Sequence, residues 1–152
     1  MANGRNPKRR TKIGGAFAPR LVEMLESPAH RVLSLSARRV LDRLEIEFAH
    51  HGGTGNGKLP CTYDHFVEYG LHRHAIGPAI RELIALGFLE RTQQGGGGNA
   101  DERLPSLYRL TYRHTDRSDS TNDWRKIKTL EEAIRLAKES RSPPKLMRRK
   151  AA

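Results

Sequence analysis

Residues 70–90, with the sequence GLHRHAIGPAIRELIALGFLE, decide the fold that we expect for this chain. Four apolar residues in this stretch recur at the spacing of a helix that buries one face: Ile76, Ala79, Ile80 and Leu83. The spacing predicts a helix over about 72–86, and Gly87 is a typical C-terminal stop. Pro78 lies inside this helix and removes one backbone hydrogen bond, so we expect a break or a tightened turn near residues 74–77.

A shorter helix precedes this one across the tight link Gly70-Leu71. Thr62 can cap its start, and residues 63–69 carry an apolar face formed by Tyr63, Phe66 and Val67. Two short helices joined by a tight, glycine-containing turn form a helix-turn-helix. This pair of helices is therefore the centre of the expected domain.

A β-hairpin is expected directly after the helix pair. Residues 88–93 and 107–112 are strand-like, and the glycine-rich stretch 94–106 between them predicts a long tip. Residues 58–61, before the helix pair, are too few to form more than an edge strand. The expected fold is therefore mainly α with a small β-hairpin, which is an α+β class.

The stretch 70–90 resembles the winged helix-turn-helix superfamily in the pattern found in small bacterial regulators. In that pattern Ala79-Ile80 and Leu83 pack the recognition helix, and the step Leu86-Gly87-Phe88-Leu89-Glu90 enters the wing. The resemblance covers about residues 36–112, and plasmid and phage replication or excision proteins are similar to it as well. It implies sequence-specific binding of double-stranded DNA, by a transcriptional regulator or by an accessory factor of replication or recombination, without indicating a target.

The residues before position 36 are expected to form a short helical extension over 17–35, in which Ser27-Pro28 starts a turn of helix. Before that turn, Leu21, Val22 and Leu25 could supply a short helix. Ser36 is placed as the N-cap of the first long helix of the domain. The apolar face of that helix is formed by Ala37, Val40, Leu41, Leu44 and Phe48.

Residues 124–140 predict an amphipathic helix that follows a polar linker over 113–123. Thr129 and Glu132 form a capping box near its start. Leu130, Ala133, Ile134 and Ala137 form one apolar stripe, and Trp124 and Ile127 lie ahead of it. The stripe covers either the core of the domain or the same helix in a partner, which leaves a homodimer through residues 124–140 open.

The chain carries 28 Lys and Arg against 17 Asp and Glu, and its formal net charge of +11 is concentrated at both ends. Residues 1–16 and 141–152 are expected to be basic, poorly ordered tails. Their cationic residues are Arg5, Lys8, Arg9, Arg10, Lys12, Arg141, Lys145, Arg148, Arg149 and Lys150. Such tails either aid solubility or bind a polyanion by releasing its counterions, regardless of sequence. Specificity must therefore come from the middle of the chain.

The outward side of the helix over 72–86 carries the candidates for contacts in the DNA major groove: His72, Arg73, His74, Gly77, Pro78 and Arg81. Arg73 or Arg81 could form a bidentate contact with guanine, and the alternative for Arg81 is an exposed ion pair. Glu82 is expected at the edge of the interface because its charge repels phosphate. Protonated histidines would strengthen phosphate contacts below a pH of about 6.5.

Further phosphate contacts are expected on both sides of this helix. Thr62 and Tyr63 lie where such folds meet the DNA backbone, although Tyr63 fits the core equally well. Arg91 and Arg103 flank the glycine-rich tip of the hairpin, where Asp101-Glu102 weakens their attraction for phosphate. The alternatives to DNA binding are an RNA-binding module and a winged helix used only for protein contacts.

No cofactor, metal or enzymatic activity is expected. The seven histidines and Cys61 match no ordinary zinc spacing. Residues 95–98 lack the Lys and Ser or Thr of a phosphate-binding loop, and we find no nucleophile constellation. A lone cysteine fits a reducing compartment, and no apolar run approaches the roughly 18 residues that cross a bilayer. A cytoplasmic, nucleoid-associated protein is therefore expected.

Overall fold

A computed structural model describes residues 13–96 and 104–143, which contain six α-helices and one three-stranded antiparallel sheet. The helices are α1 Val22–Glu26, α2 Pro28–Arg31, α3 Leu35–His50, α4 Tyr63–Glu68, α5 Arg73–Ala85 and α6 Leu130–Arg141. The strands are β1 Leu59–Cys61, β2 Leu89–Gln93 and β3 Ser106–Leu110, and a 3₁₀ helix covers Asp123–Lys126. The expected α+β class, mainly α with a small hairpin, is confirmed.

The sheet has the strand order β1-β3-β2, so the predicted hairpin of β2 and β3 is extended by β1 at the edge. Leu59 of β1 pairs with Tyr108 of β3, and Arg91 of β2 pairs with the other side of Tyr108. Pro60 is tolerated in β1 because an edge strand does not need every backbone donor. The short strand over 58–61 is therefore an edge strand, as predicted.

The core lies between α3, α5 and the sheet. Helices α3 and α5 each turn one apolar face inward, and the aromatic rings of Phe48, Phe66, Phe88 and Tyr108 fill the space between elements. Burying a side chain of this size stabilises the fold by about 1.5–3 kcal/mol. The two helical faces that the sequence predicted are thus the faces that hold the domain together.

Helix α3 begins two residues earlier than predicted, because its N-cap is Ser34 and not Ser36. Ser34 Oγ accepts a hydrogen bond from Ala37 N at 3.1 Å, while Ser34 N and Oγ donate to the Glu82 carboxylate at 2.8 Å each. Glu82 is only 1% exposed, so its expected place at the edge of an interface is also wrong. Ser34 is the cap because Glu82 binds it, and the sequence near α3 does not indicate this contact with a distant residue.

Both short helices expected in the N-terminal extension are present. Ser27 Oγ accepts from His30 N at 3.2 Å and starts α2 at Pro28, as expected. The short helix expected from Leu21, Val22 and Leu25 is α1, in which Met24 is the buried residue while these three remain exposed. A helix of five residues makes little more than one turn, so only one side chain faces the core.

Helix α5 runs without a break through Pro78, so the break expected at residues 74–77 is wrong. Its first turn is tightened, because Ala75 N donates to the His72 carbonyl three residues before it at 2.9 Å. Proline normally clashes with the Cβ and N–H of the residue before it. That residue is Gly77, which has no Cβ and can keep helical geometry. Only one turn of helix precedes Pro78, so few backbone bonds are affected.

The C-terminal segment packs on the chain's own core. Instead of one helix over 124–140, the chain forms the 3₁₀ helix and then α6, which lies against α5. Four of the predicted apolar residues are buried: Trp124, Ile127, Ala133 and Ala137. Leu130 and Ile134 remain 38% and 52% exposed. Of the two alternatives left open for the stripe, these four residues cover this chain's own core.

Gly87 joins α5 to both the hairpin and the 3₁₀ helix. Its φ of +82° belongs to the left-handed region, which suits the residue after a helix end. A Cβ at this position would lie 2.7 Å from the backbone of Asp123 and Trp124. Glycine therefore allows the turn and the close approach of the 3₁₀ helix together.

Within the described residues, no helix is long and apolar enough to span a membrane.

Candidate nucleic-acid interface

A groove of about 820 Å³ separates α4 and α5 from the β2–β3 hairpin. Six of the ten residues predicted to contact DNA in the domain line it: Thr62, Tyr63, Arg73, Gly77, Arg81 and Arg91. Pro78 lies within α5 and is not part of the lining. His72 and His74 lie at the N-terminal end of α5, and Arg103 lies outside the described residues. The tail residues Arg5, Lys8, Arg9, Arg10, Lys12, Lys145, Arg148, Arg149 and Lys150 lie outside them as well. Residues distant in sequence thus share one surface.

Helix α4 forms one side of the groove and is fixed by a reciprocal cap. Thr62 Oγ1 accepts from His65 N, and His65 Nδ1 accepts from Thr62 N, both at 3.2 Å. The cap that the sequence predicted at Thr62 is confirmed. Tyr63 is 38% exposed and faces the groove, so its alternative placement in the core is wrong. The buried aromatic residue of α4 is Phe66.

Arg73, the first residue of α5, forms an ion pair with Asp64 of α4. The two side chains are 61% and 74% exposed, and an ion pair in that setting contributes at most about 1 kcal/mol. A phosphate could therefore replace the carboxylate. Sequence reasoning missed Asp64, because only the packing of α4 on α5 brings the two residues together.

His72 and His74 lie on either side of Arg73 at the start of α5. Their rings stack with centroids 5.6 Å apart and an interplanar angle of 17°. His72 occupies the N-cap position, and its side chain makes no cap hydrogen bond. Both side chains are exposed, so the N-terminal end of α5 presents two imidazoles and a guanidinium to solvent.

Arg81 is held by the C-terminal end of α6. Its Nε donates to the Ser140 carbonyl at 3.1 Å, and its Nη2 donates to the Arg141 carbonyl at 2.9 Å. Among the described residues these two carbonyls are the partners of Arg81, and the ion pair with an acidic residue that was the alternative is not found. The edge of the guanidinium formed by Nε and Nη2 is therefore occupied, and the guanine contact of Arg81 stays a prediction. The Nη1 atom remains over Gly77 at the groove.

The end of α6 is tied to α5 a second time. Arg141 Nε and Nη2 donate to the Glu82 carboxylate at 3.3 Å each. Arg141 is therefore the last residue of α6 and not part of a poorly ordered tail. Because Glu82 also accepts from Ser34, three separate elements meet at one buried carboxylate.

The hairpin forms the opposite side of the groove. Arg91 Nη1 donates to Gln94 Oε1 at 3.1 Å, and Gly95 N donates to Ser106 Oγ at 2.9 Å. A Cβ on Gly95 would clash with the backbone of Ser106, so glycine is required here. Leu104 is 61% exposed on this side and was missed by sequence reasoning. The wall combines a cation, an amide and an apolar side chain.

Two further titratable side chains, Cys61 and His30, are buried, and burial shifts their pKa values. Burial raises the pKa of the Cys61 thiol to about 12, so the thiol stays protonated near neutral pH. Burial, assisted by the charges of Arg38 and Arg20, lowers the pKa of His30 to about 4. In residues 13–96 and 104–143, no three His, Cys, Asp or Glu side chains form a group that could hold a metal ion.

No family model, no curated protein and no solved structure matches this chain. The function of this chain is therefore inferred from the groove and from the residues that line it.

Proposed function

We propose that this chain binds double-stranded DNA as a winged helix-turn-helix protein. In this proposal α4 and α5 form the helix-turn-helix, α5 is the recognition helix, and the β2–β3 hairpin is the wing. The observation that carries it is the convergence of Arg73, Arg81 and Arg91 on one groove, from two elements that lie on opposite sides. A groove with cations on both sides fits a sugar-phosphate backbone.

The groove supplies affinity, and the start of α5 supplies base recognition. Each phosphate neutralised in the groove releases counterions, so the affinity falls steeply with salt. His72, Arg73 and His74 project from the N-terminal end of α5, the part of a recognition helix that meets base edges. The basic residues of both tails would add affinity that does not depend on sequence.

This function suits a transcriptional regulator or an accessory factor of replication or recombination, associated with a bacterial nucleoid. The proposal requires no cofactor. A homodimer bound to a palindromic site is compatible with it, and a symmetric target motif would indicate such a dimer.

The first test is selection of bound sequences from random duplex DNA at near-physiological salt, followed by titration of the winning duplex and of an RNA duplex of the same sequence. We expect a recovered motif and a preference for DNA. Arg73→Ala should weaken binding of the motif about tenfold. Arg135→Ala, an exposed arginine on α6 outside the groove, is the matched control. Preference for RNA, or binding to neither duplex, would support the RNA or protein alternatives instead.

A further inference from the structure

We propose that Tyr63, Gly77 and Arg81 form a binding site for a single backbone phosphate, and that docked α6 positions the arginine of this site. The inference rests on the proposed function and deepens it. It assigns Arg81 to the DNA backbone and leaves base recognition to the start of α5.

Gly77 forms the floor of the site. A Cβ on Gly77 would lie 3.3 Å from Tyr63 Oη and 3.4 Å from Arg81 Nη1. The contact with Tyr63 Oη would be tighter than ordinary van der Waals distance and the contact with Arg81 Nη1 would be at its lower limit, so a methyl group would fill the space between the two donors. Glycine thus leaves a small space in which a hydroxyl and a guanidinium nitrogen face the same point. A phosphate oxygen is an acceptor that can use both donors.

Arg81 is prepared for this contact before any ligand arrives. The Ser140 and Arg141 carbonyls hold Nε and Nη2, so the guanidinium plane is set and Nη1 stays at the groove. An arginine that is already ordered loses less conformational entropy on binding than a free one. The carbonyls at the end of α6 gain a partner in return, since the last carbonyls of a helix lack one.

The ion pair between Arg141 and Glu82 keeps the end of α6 in this place. Arg81 points from α5 to α6, while Arg141 points from α6 to the next residue of α5, Glu82. Together the two contacts restrain sliding of α6 along α5. Arg141 is therefore a positioning residue, which acts on the phosphate site through Arg81.

The floor is tested by two variants that differ by one methyl group. Pro78→Ala is the reference, and Gly77→Ala/Pro78→Ala adds the methyl without the strain of a Cβ before proline. Alanine favours a helix more than glycine, so the double variant should be at least as stable as the reference. We expect it to bind a short fluorescent duplex of mixed sequence about tenfold more weakly, with a salt slope lower by about one.

Equal affinity and equal salt slope in the two variants would overturn the phosphate site. Tyr63→Phe provides a second measurement, because it removes only the hydroxyl, and unchanged binding by it would also count against the site. Absence of salt-dependent binding by the unchanged full chain would instead defeat the proposed function. The two failures are thus distinguishable.

The positioning role is tested by a double-mutant cycle between Arg141→Gln and Arg81→Met in the full chain. If α6 acts through Arg81, Arg141→Gln weakens binding about threefold in the unchanged background and has no effect beside Arg81→Met. An equal loss in both backgrounds would mean that Arg141 contacts DNA itself, and no loss in either would mean that α6 has no influence. Either result overturns the positioning role.

Discussion

Arg141 and Glu82 lie 59 residues apart in sequence and form a two-bonded ion pair between the end of α6 and the buried face of α5. The same carboxylate accepts both the N–H and the hydroxyl of Ser34, the cap of α3. One acidic side chain therefore joins the first long helix, the helix at the groove and the last helix.

Glu82→Ala should lower the free energy of unfolding by about 2–3 kcal/mol, because it leaves the Ser34 donors and the Arg141 guanidinium without their acceptor. Urea denaturation followed by circular dichroism measures the loss. Glu139→Ala removes an acidic partner from an exposed pair with Arg135 and should change stability by less than about 0.5 kcal/mol. A loss at Glu82 no larger than the loss at Glu139 would contradict this account.

Asp64→Asn should raise the affinity for duplex DNA about threefold, because it releases Arg73 from an exposed ion pair and removes a negative charge from the groove. The slope of affinity against salt should become steeper. Glu68→Gln, at the other end of α4, removes the same charge outside the groove lining and serves as the control. Equal gains in both variants would show that net charge alone is responsible.

The stability of the fold should fall as the pH drops from about 6.5 to about 4. In the unfolded chain His30 takes up a proton near its ordinary pKa of 6.5, whereas the folded chain holds this pKa at about 4. The unfolded state therefore binds more protons in this window, and the loss reaches about 2–3 kcal/mol. His30→Gln should flatten this part of the pH profile, measured by urea denaturation at several pH values. An unchanged profile would exclude His30 as the cause.

The protein should be a monomer in the absence of DNA. Leu130 and Ile134 are the apolar residues of the α6 stripe that stay exposed, and two side chains fall far below the roughly 800 Å² per partner of a stable interface. Light scattering of the full chain measures the mass. A dimeric mass that Ile134→Asp converts to a monomeric one would establish the homodimer through the C-terminal helix.

Local signals in the sequence predicted the parts of the fold that depend on neighbouring residues. The Thr62 cap, the turn at Ser27-Pro28 and the stop at Gly87 each follow from contacts within a few positions, and all three are confirmed. The cap of α3 was misplaced because Ser34 is selected by Glu82, a residue 48 positions away. The break expected at Pro78 neglected that a glycine precedes it.

In the candidate site, too, features that depend on neighbouring residues were predicted and features that depend on distant residues were not. Helical spacing was enough to predict which residues of α5 face outward, and six predicted residues share the groove. The partners of Arg73 and Arg81 were not predicted, because they depend on how α4 and α6 pack against α5. The spacing along α5 indicates which side chains face outward. Whether the N–H donors of those side chains are free to bind a ligand depends on the helices that pack against α5.

Gly87 is required by its close approach to the 3₁₀ helix, and not by a ligand. A library of mutants can therefore distinguish it from a glycine that is required for DNA binding. A library sorted for folding alone should retain only glycine at position 87, because any other side chain meets the backbone of Asp123 and Trp124. Position 77, in the Pro78→Ala background, should accept alanine in that library and reject it once the sorting is for DNA capture. Of these two glycines, ten residues apart, Gly87 would then be required for folding and Gly77 for binding the ligand.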